Sequence, residues 1–180
     1  PSGRIPGQWG LYIGIIWTGL SLVVASQLGV FVFVAACVGL ALAWAYSAPP
    51  FRLKKNGWWG NTAVAACYEG LPWLTGAAVM TGAMPNLRVL LIAGLYSLGA
   101  HGIMTLNDFK SVEGDKRSGI GSLPVLLGAE RAGRFACLVM AAPQLIVVTL
   151  LYLWGYPWHA AAVGLLLVVA EEAVEELVVD

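Results

Sequence analysis

Long apolar runs separated by short polar stretches set the rhythm of this chain. Residues 9–26, 30–46, 62–81, 87–106 and 135–153 are apolar nearly throughout. Each run is close to the ~17–25 residues that a helix needs to cross the hydrocarbon of a bilayer. A helix of a soluble core would carry charge on its outer face, and these runs carry almost none. A sixth run, residues 157–170, is shorter. The pattern predicts an all-α, polytopic transmembrane helical bundle of about six spans, forming a single transmembrane domain over residues 1–180. Gly10-x-x-x-Gly14 and Gly39-x-x-x-Ala43 place small residues at the spacing that lets helix backbones approach in lipid. Pro72 falls inside the third run and is expected to kink it.

Composition agrees with the pattern: of 180 residues 59% are hydrophobic and 11% charged, with a mean hydropathy of +0.77. The formal net charge is zero, so nothing in the balance points to a nucleic-acid partner. The distribution of charge is more informative. Connections that alternate along the chain carry Arg4, then Arg52, Lys54 and Lys55, then Lys110, Lys116, Arg117, Arg131 and Arg134, whereas the opposite set carries Arg88. Lys and Arg concentrate in cytoplasmic loops, so the first set is expected to face the cytoplasm. Cys37, Cys67 and Cys137 lie within apolar runs and read as packing residues. The acidic tail 171–180, with Glu171, Glu172, Glu175 and Glu176, is atypical of a span, because a carboxylate near the bilayer centre costs a few kcal/mol. A short span followed by an amphipathic surface helix is expected there. The chain starts Pro1-Ser2-Gly3 within a polar segment and without Met, which suggests that an earlier part is missing.

Two polar connections on the basic side concentrate the chemistry: YSAPPFRLKKNGWWG at 46–60 and NDFKSVEGDKRSG at 107–119. If the fourth span continues as helix, Asp108 and Asp115 share a face about 10 Å apart along the axis. That separation suits two carboxylates holding Mg²⁺ on a diphosphate, since Mg²⁺ takes one or two protein carboxylates plus phosphate oxygens. It equally suits a solvated loop. Arg52, Lys54 and Lys55 suit phosphate clamping or anchoring to anionic membrane lipid. Glu69 and His101 are ionisable groups inside apolar runs, which marks both as functional candidates. His101 is two helical turns deeper than Asp108; it suits metal ligation, a hydrogen bond to a polar substrate, or partnership with Glu69 or a backbone carbonyl.

These stretches carry a family resemblance. AYSAPPFRLKKNGWWGN at 45–61, YSLGAHGIMTLNDFKSVEGDKR at 96–117 and GSLPVLLG at 121–128 resemble loops of the chlorophyll and bacteriochlorophyll synthase group of the UbiA superfamily of prenyltransferases. The opening PSGRI resembles the stretch after that group's first acidic motif, and AHGIMTLND looks nearer the bacteriochlorophyll branch. The resemblance implies nine transmembrane helices, of which this chain would hold the third to the eighth. It implies Mg²⁺-dependent transfer of an isoprenoid (geranylgeranyl or phytyl) from its diphosphate to the propionate of a chlorophyllide or bacteriochlorophyllide. Asp108 and Asp115 match the second motif's metal-binding carboxylates. Tyr46, Arg52, Lys54, Asn107, Arg117 and His101 are the substrate-binding candidates. The first acidic motif and the ninth helix have no counterpart in the sequence. The implied setting is an inner or photosynthetic intracytoplasmic membrane, with active loops facing the cytoplasm. A quinone precursor or haem as acceptor, or a transporter or pigment-binding protein without catalysis, are the rival readings.

Overall fold

The computed structural model describes the backbone of residues 7–179 and the side chains of residues 8–169. Helix α1 (Gly7–Gln27) and helix α2 (Val30–Ser47) form an antiparallel pair joined by the two-residue link at Leu28 and Gly29. Gly29 takes φ 109, a left-handed conformation that glycine adopts without steric cost. Helix α3 (Gly57–Ala65) leads through a π turn (Ala66–Gly70) into α4 (Leu71–Thr81). Helix α5 (Leu87–Asp108) is followed by a 3₁₀ turn (Phe109–Ser111), then by the short helices α6 (Val112–Ser118) and α7 (Leu123–Leu127). Helix α8 (Ala129–Leu153) and helix α9 (Pro157–Val179) complete the chain.

Helices α1, α2, α5 and α8 are each long and apolar enough to cross a membrane. The path α3–π turn–α4 is a further continuous helical passage from Gly57 to Thr81, coinciding with the third apolar run. The disturbance expected at Pro72 takes the form of a π turn. Proline lacks an N–H and its ring crowds the carbonyl four residues back. The chain widens into a π turn just before it, where the Leu71 N–H donates to the Ala66 carbonyl. In α9 the backbone stays helical through Val179 rather than breaking after the apolar stretch 157–169. The acidic side chains from Glu171 onward, like Arg4 and the opening PSGRI, lie outside the described residues.

Caps and back-bonding satisfy polar groups that lipid cannot. Asn86 accepts from the Val89 N–H (3.1 Å) to start α5. Asn56 accepts from the N–H groups of Trp58 (2.9 Å) and Trp59 (3.3 Å) to start α3. Thr18, Thr62, Ser97 and Thr149 each return their hydroxyl to the carbonyl four residues back. The tightest helix pair is α5 with α8. A Cβ on Gly102 would stand 2.6 Å from the Ala136 carbonyl oxygen, so only glycine admits this approach. The two small-residue motifs behave otherwise. A Cβ on Gly14 would stand 3.7 Å from the Trp44 ring and one on Gly39 3.1 Å from Leu71 Cδ1, so these glycines receive side chains rather than another backbone.

Candidate functional site

Two connections distant in sequence are stitched into one structure by main chain. The Gly57 N–H donates to the Gly121 carbonyl (2.7 Å), and the Gly121 N–H donates to the Lys55 carbonyl (2.9 Å). This is a single parallel bridge between Asn56 and Gly121. It demands a glycine at 57, where a Cβ would fall 2.6 Å from the Leu123 nitrogen. The bridge fixes the basic loop against the segment that follows α6, and a cleft of ≈ 170 Å³ opens between them.

The cleft gathers Tyr46 from the end of α2, Lys54 from the loop, Asn61 from α3, and Asp108 and Asp115 from the end of α5 and from α6. Asn61 is buried, and its amide donates to Asp108 Oδ2 (3.0 Å) and lies 3.4 Å from Thr105 Oγ1. Thr105 is wholly buried and donates to the His101 carbonyl (2.9 Å). Asp108 is thus held by a column of polar contacts running down α5. On the other side the Ser111 hydroxyl lies 2.8 Å from Asp115 Oδ2 and 3.1 Å from the Asp108 carbonyl oxygen. The two carboxylates are not on one continuing helix, as the spacing suggested. The 3₁₀ turn tightens the path between them, and both border the same cleft.

The remaining sequence candidates stand elsewhere. Arg52 is exposed, in a left-handed conformation at φ 44. Asn107 is exposed and accepts from Lys110 Nζ (3.3 Å). Arg117 is exposed on α6. His101 is 8% exposed, between Trp58 and Phe135, and its Nε2 donates to the Trp58 carbonyl (3.3 Å). Of the roles open to it in sequence, its contacts match the partner of a backbone carbonyl. Glu69 has a different partner, accepting from Trp73 Nε1 (3.2 Å). Sequence reasoning passed over Asn61 and Ser122, although both stand inside the quoted motifs.

The chemistry of this donor set can be tested against a hard divalent cation. Asp108, Asp115, Ser111 and Tyr46 offer oxygen atoms and no sulfur or imidazole. Neither aspartate has an ion-pair partner among the described residues. The Ser122 hydroxyl, buried in the same wall, has no hydrogen-bond partner there. No cluster of three or more His, Cys, Asp or Glu residues forms among the described residues. The arrangement fits a hard divalent cation that keeps several waters and takes one or two carboxylates plus phosphate oxygens. It does not fit a closed all-protein cage.

A helical bundle with a carboxylate-bearing cleft closed by a basic loop defines a class, and sequence comparison identifies it. The chain belongs to the UbiA prenyltransferase family, which it matches over residues 1–175, and it is an integral membrane protein. It is 54% identical over 180 residues to the bacteriochlorophyll synthase 33 kDa chain of Cereibacter sphaeroides, covering 100% of this chain and 60% of that one. It is 41% identical over 169 residues to chlorophyll synthase of Oryza sativa subsp. japonica, covering 90% and 44%. Digeranylgeranylglyceryl phosphate synthase of Pyrococcus abyssi is 32% identical over 136 residues, covering 73% and 45%. The chain therefore spans 60% or less of the length of each of these relatives. No solved structure matches it.

Proposed function

We propose that the protein carrying this sequence transfers a geranylgeranyl or phytyl group from its diphosphate to the propionate carboxylate of bacteriochlorophyllide or chlorophyllide. The observation that carries the reading is the cleft itself, in which two carboxylates without an ion-pair partner among the described residues, a lysine and a tyrosine converge beside a buried Ser122 hydroxyl that has no hydrogen-bond partner among those residues. The names of the relatives supply the acceptor, and the 54% identity to a bacteriochlorophyll synthase chain favours the bacterial pigment.

Asp108 and Asp115 would hold Mg²⁺, which supplies neutralising charge for a diphosphate leaving group. Asn61 fixes the Asp108 carboxylate in one orientation, so that no reorganisation is needed during reaction. Lys54 contributes a point charge to the phosphate oxygens, and Tyr46 donates its hydroxyl at the rim. As the bond from the allylic carbon to the diphosphate oxygen breaks, its electron pair leaves with the diphosphate. The propionate oxygen then forms the new ester bond. A carboxylic acid of pKa about 4–5 is ionised at neutral pH, so the cleft needs no general base. Below the cleft, apolar helix walls keep water from the cationic carbon. The orientation proposed puts this face toward the cytoplasm, on the positive-inside pattern.

The test uses a full-length protein containing this sequence, in detergent with Mg²⁺, bacteriochlorophyllide and geranylgeranyl diphosphate. Chromatography should show an esterified pigment that disappears when Mg²⁺ is chelated. Product formed with a quinone precursor and not with the pigment would keep the reaction class and overturn the acceptor.

A further inference from the structure

An isoprenoid diphosphate is one continuous molecule, so a chain whose diphosphate sits in the cleft must leave by a passage that adjoins the cleft. A concavity of ≈ 250 Å³ between α2 and the path from α3 into the π turn does so, because Tyr46 lines both. The helices lead into it at helical spacing. On α3, Gly60 in the cleft is followed by Val64 and then Cys67 in the concavity. On α2, Tyr46 is followed, away from the loop end, by Ala43 and Leu42. Apart from Tyr46, Ser47 and the exposed Tyr68, the wall is apolar, from Leu42, Ala43, Ala63, Val64 and Cys67. A phosphate finds no partner in such a wall, and a hydrocarbon chain needs none.

The passage has a floor. Gly39 stands two turns below Tyr46 on the same face of α2, about 10 Å down at 1.5 Å per residue. There Leu71 closes against α2, its Cδ1 3.1 Å from where a Cβ on Gly39 would stand, and Cys67 Sγ lies 4.0 Å from the Gly39 carbonyl oxygen. A chain entering beside Tyr46 cannot run straight on between α2 and α4. The space above the floor is smaller than the ~300–1,000 Å³ of pockets that enclose drug-sized ligands, so it takes the allylic end of a long isoprenoid and not the whole. Sideways the passage is open. Ala43 and Ser47, both exposed, also border a concavity of ≈ 470 Å³ between α1 and α2. The Trp44 indole forms part of its wall, fixed by donation from Nε1 to Thr18 Oγ1 (3.0 Å).

We propose that the isoprenoid chain passes Tyr46 into the groove between α2 and α3, turns at the floor made by Gly39 and Leu71, and crosses Ala43 and Ser47 into the concavity between α1 and α2. The inference deepens the reading of the previous section and rests on it. It makes Ala43 a specificity-determining residue for chain length. Val64 meets the part of the chain that every isoprenoid diphosphate has, and Ala43 meets the part that only a long one has.

The experiment measures binding. A full-length protein containing this sequence, in lipid nanodiscs with Mg²⁺, is titrated calorimetrically with inorganic diphosphate, geranyl diphosphate and geranylgeranyl diphosphate. Empty nanodiscs give the lipid baseline, and bacteriochlorophyllide is titrated separately by absorption. The wild type should bind the geranylgeranyl compound at least about tenfold more tightly than the geranyl one, a factor that burial of two or so methylene groups supplies. Ala43→Phe fills an exposed lip and enters no packed core. It should weaken geranylgeranyl diphosphate about tenfold and leave geranyl diphosphate within twofold; Ala43→Leu should show the same order with a smaller loss. Val64→Phe should weaken both and spare inorganic diphosphate, whose retained affinity verifies that each variant is folded. Geranylgeranyl affinity unchanged at both positions overturns the path. Equal losses of the two isoprenoid diphosphates in the Ala43 variants overturn the turn at Ala43 and with it the chain-length role. Lost bacteriochlorophyllide affinity with geranylgeranyl affinity retained hands the groove to the acceptor and also overturns the path. A wild type that binds none of the three diphosphates overturns the reading of the cleft itself, a result distinct from the others.

Discussion

The cleft at the loop end and a second concavity of ≈ 220 Å³, lined by Glu69, Tyr96, Ile103 and Gln144 between the π turn, α5 and α8, both use α5, yet they are built by opposite means. In the cleft the two carboxylates are held from neighbouring elements: Asn61 of α3 reaches Asp108 at the end of α5, and Ser111 of the 3₁₀ turn reaches Asp115 of α6. Backbone hydrogen bonds between Gly57 and Gly121 hold the two segments together. In the concavity, side chains depart singly from apolar helices, and among the described residues no main-chain bridge joins segments in its wall. Groups in water can be collected by loops at small cost, and reaction at the cleft then depends on how they are oriented. Groups in lipid are expensive wherever they stand, so their presence is itself the signal.

The sharpest break in the comparison is removal of the carboxylates. Asp108→Ala and Asp115→Ala should each lower turnover about 10³-fold or more, since each deletes charge stabilisation at the leaving group. Pigment binding should stay within twofold of wild type, read by an absorption titration with bacteriochlorophyllide. Retained turnover in both variants would remove them from the metal site. Gly57→Ala attacks the same cleft through backbone. The new Cβ meets Leu123 nitrogen and the Gly121 carbonyl, main-chain atoms that have no rotamer to escape into. The loops should separate, lowering turnover about a hundredfold and depressing the unfolding midpoint, again with pigment binding retained. Turnover close to wild type would show that the bridge between Asn56 and Gly121 is not what assembles the site.

Asn61→Leu should act more gently. It removes the donor that fixes Asp108 and leaves the carboxylate free to turn, so about tenfold more Mg²⁺ should be needed for half-maximal rate. An unchanged Mg²⁺ requirement would reduce Asn61 to packing. This residue also shows where sequence reading stopped. The apolar runs announced the spans, because length and lack of charge leave few alternatives. Asp108 and Asp115 stood out as acids in a polar loop. Asn61 stands just before the apolar run 62–81 and carries no charge to single it out; only its contact with Asp108, from 47 residues away, gives it a role. The π turn before Pro72 was equally hidden, since proline signals a disturbed helix without saying which disturbance relieves it. The bridge from Asn56 to Gly121 pairs distant segments that carry no strand pattern, and nothing local encodes it.

The smallest expected effect separates two cations that sequence treated alike. Arg52 and Lys54 are two residues apart in one basic loop, and either suits a phosphate. In the folded chain a 3₁₀ turn begins at Leu53, after the left-handed Arg52, and it sends the two side chains different ways. Lys54 borders the cleft and is partly buried, whereas Arg52 is exposed and does not line it. An exposed charge is screened by salt and contributes little, while one beside a partly desolvated phosphate is screened less. Lys54→Gln should therefore weaken geranylgeranyl diphosphate binding several-fold at ~0.15 M salt, and Arg52→Gln should leave it within twofold. Raising the salt to ~1 M, where the screening length falls to about 3 Å, should erase any Arg52 effect and preserve part of the Lys54 effect. Equal losses in the two variants, vanishing together with salt, would mean that the loop acts as a diffuse basic patch. The cleft would then owe its selectivity to Asp108, Asp115 and Asn61 alone.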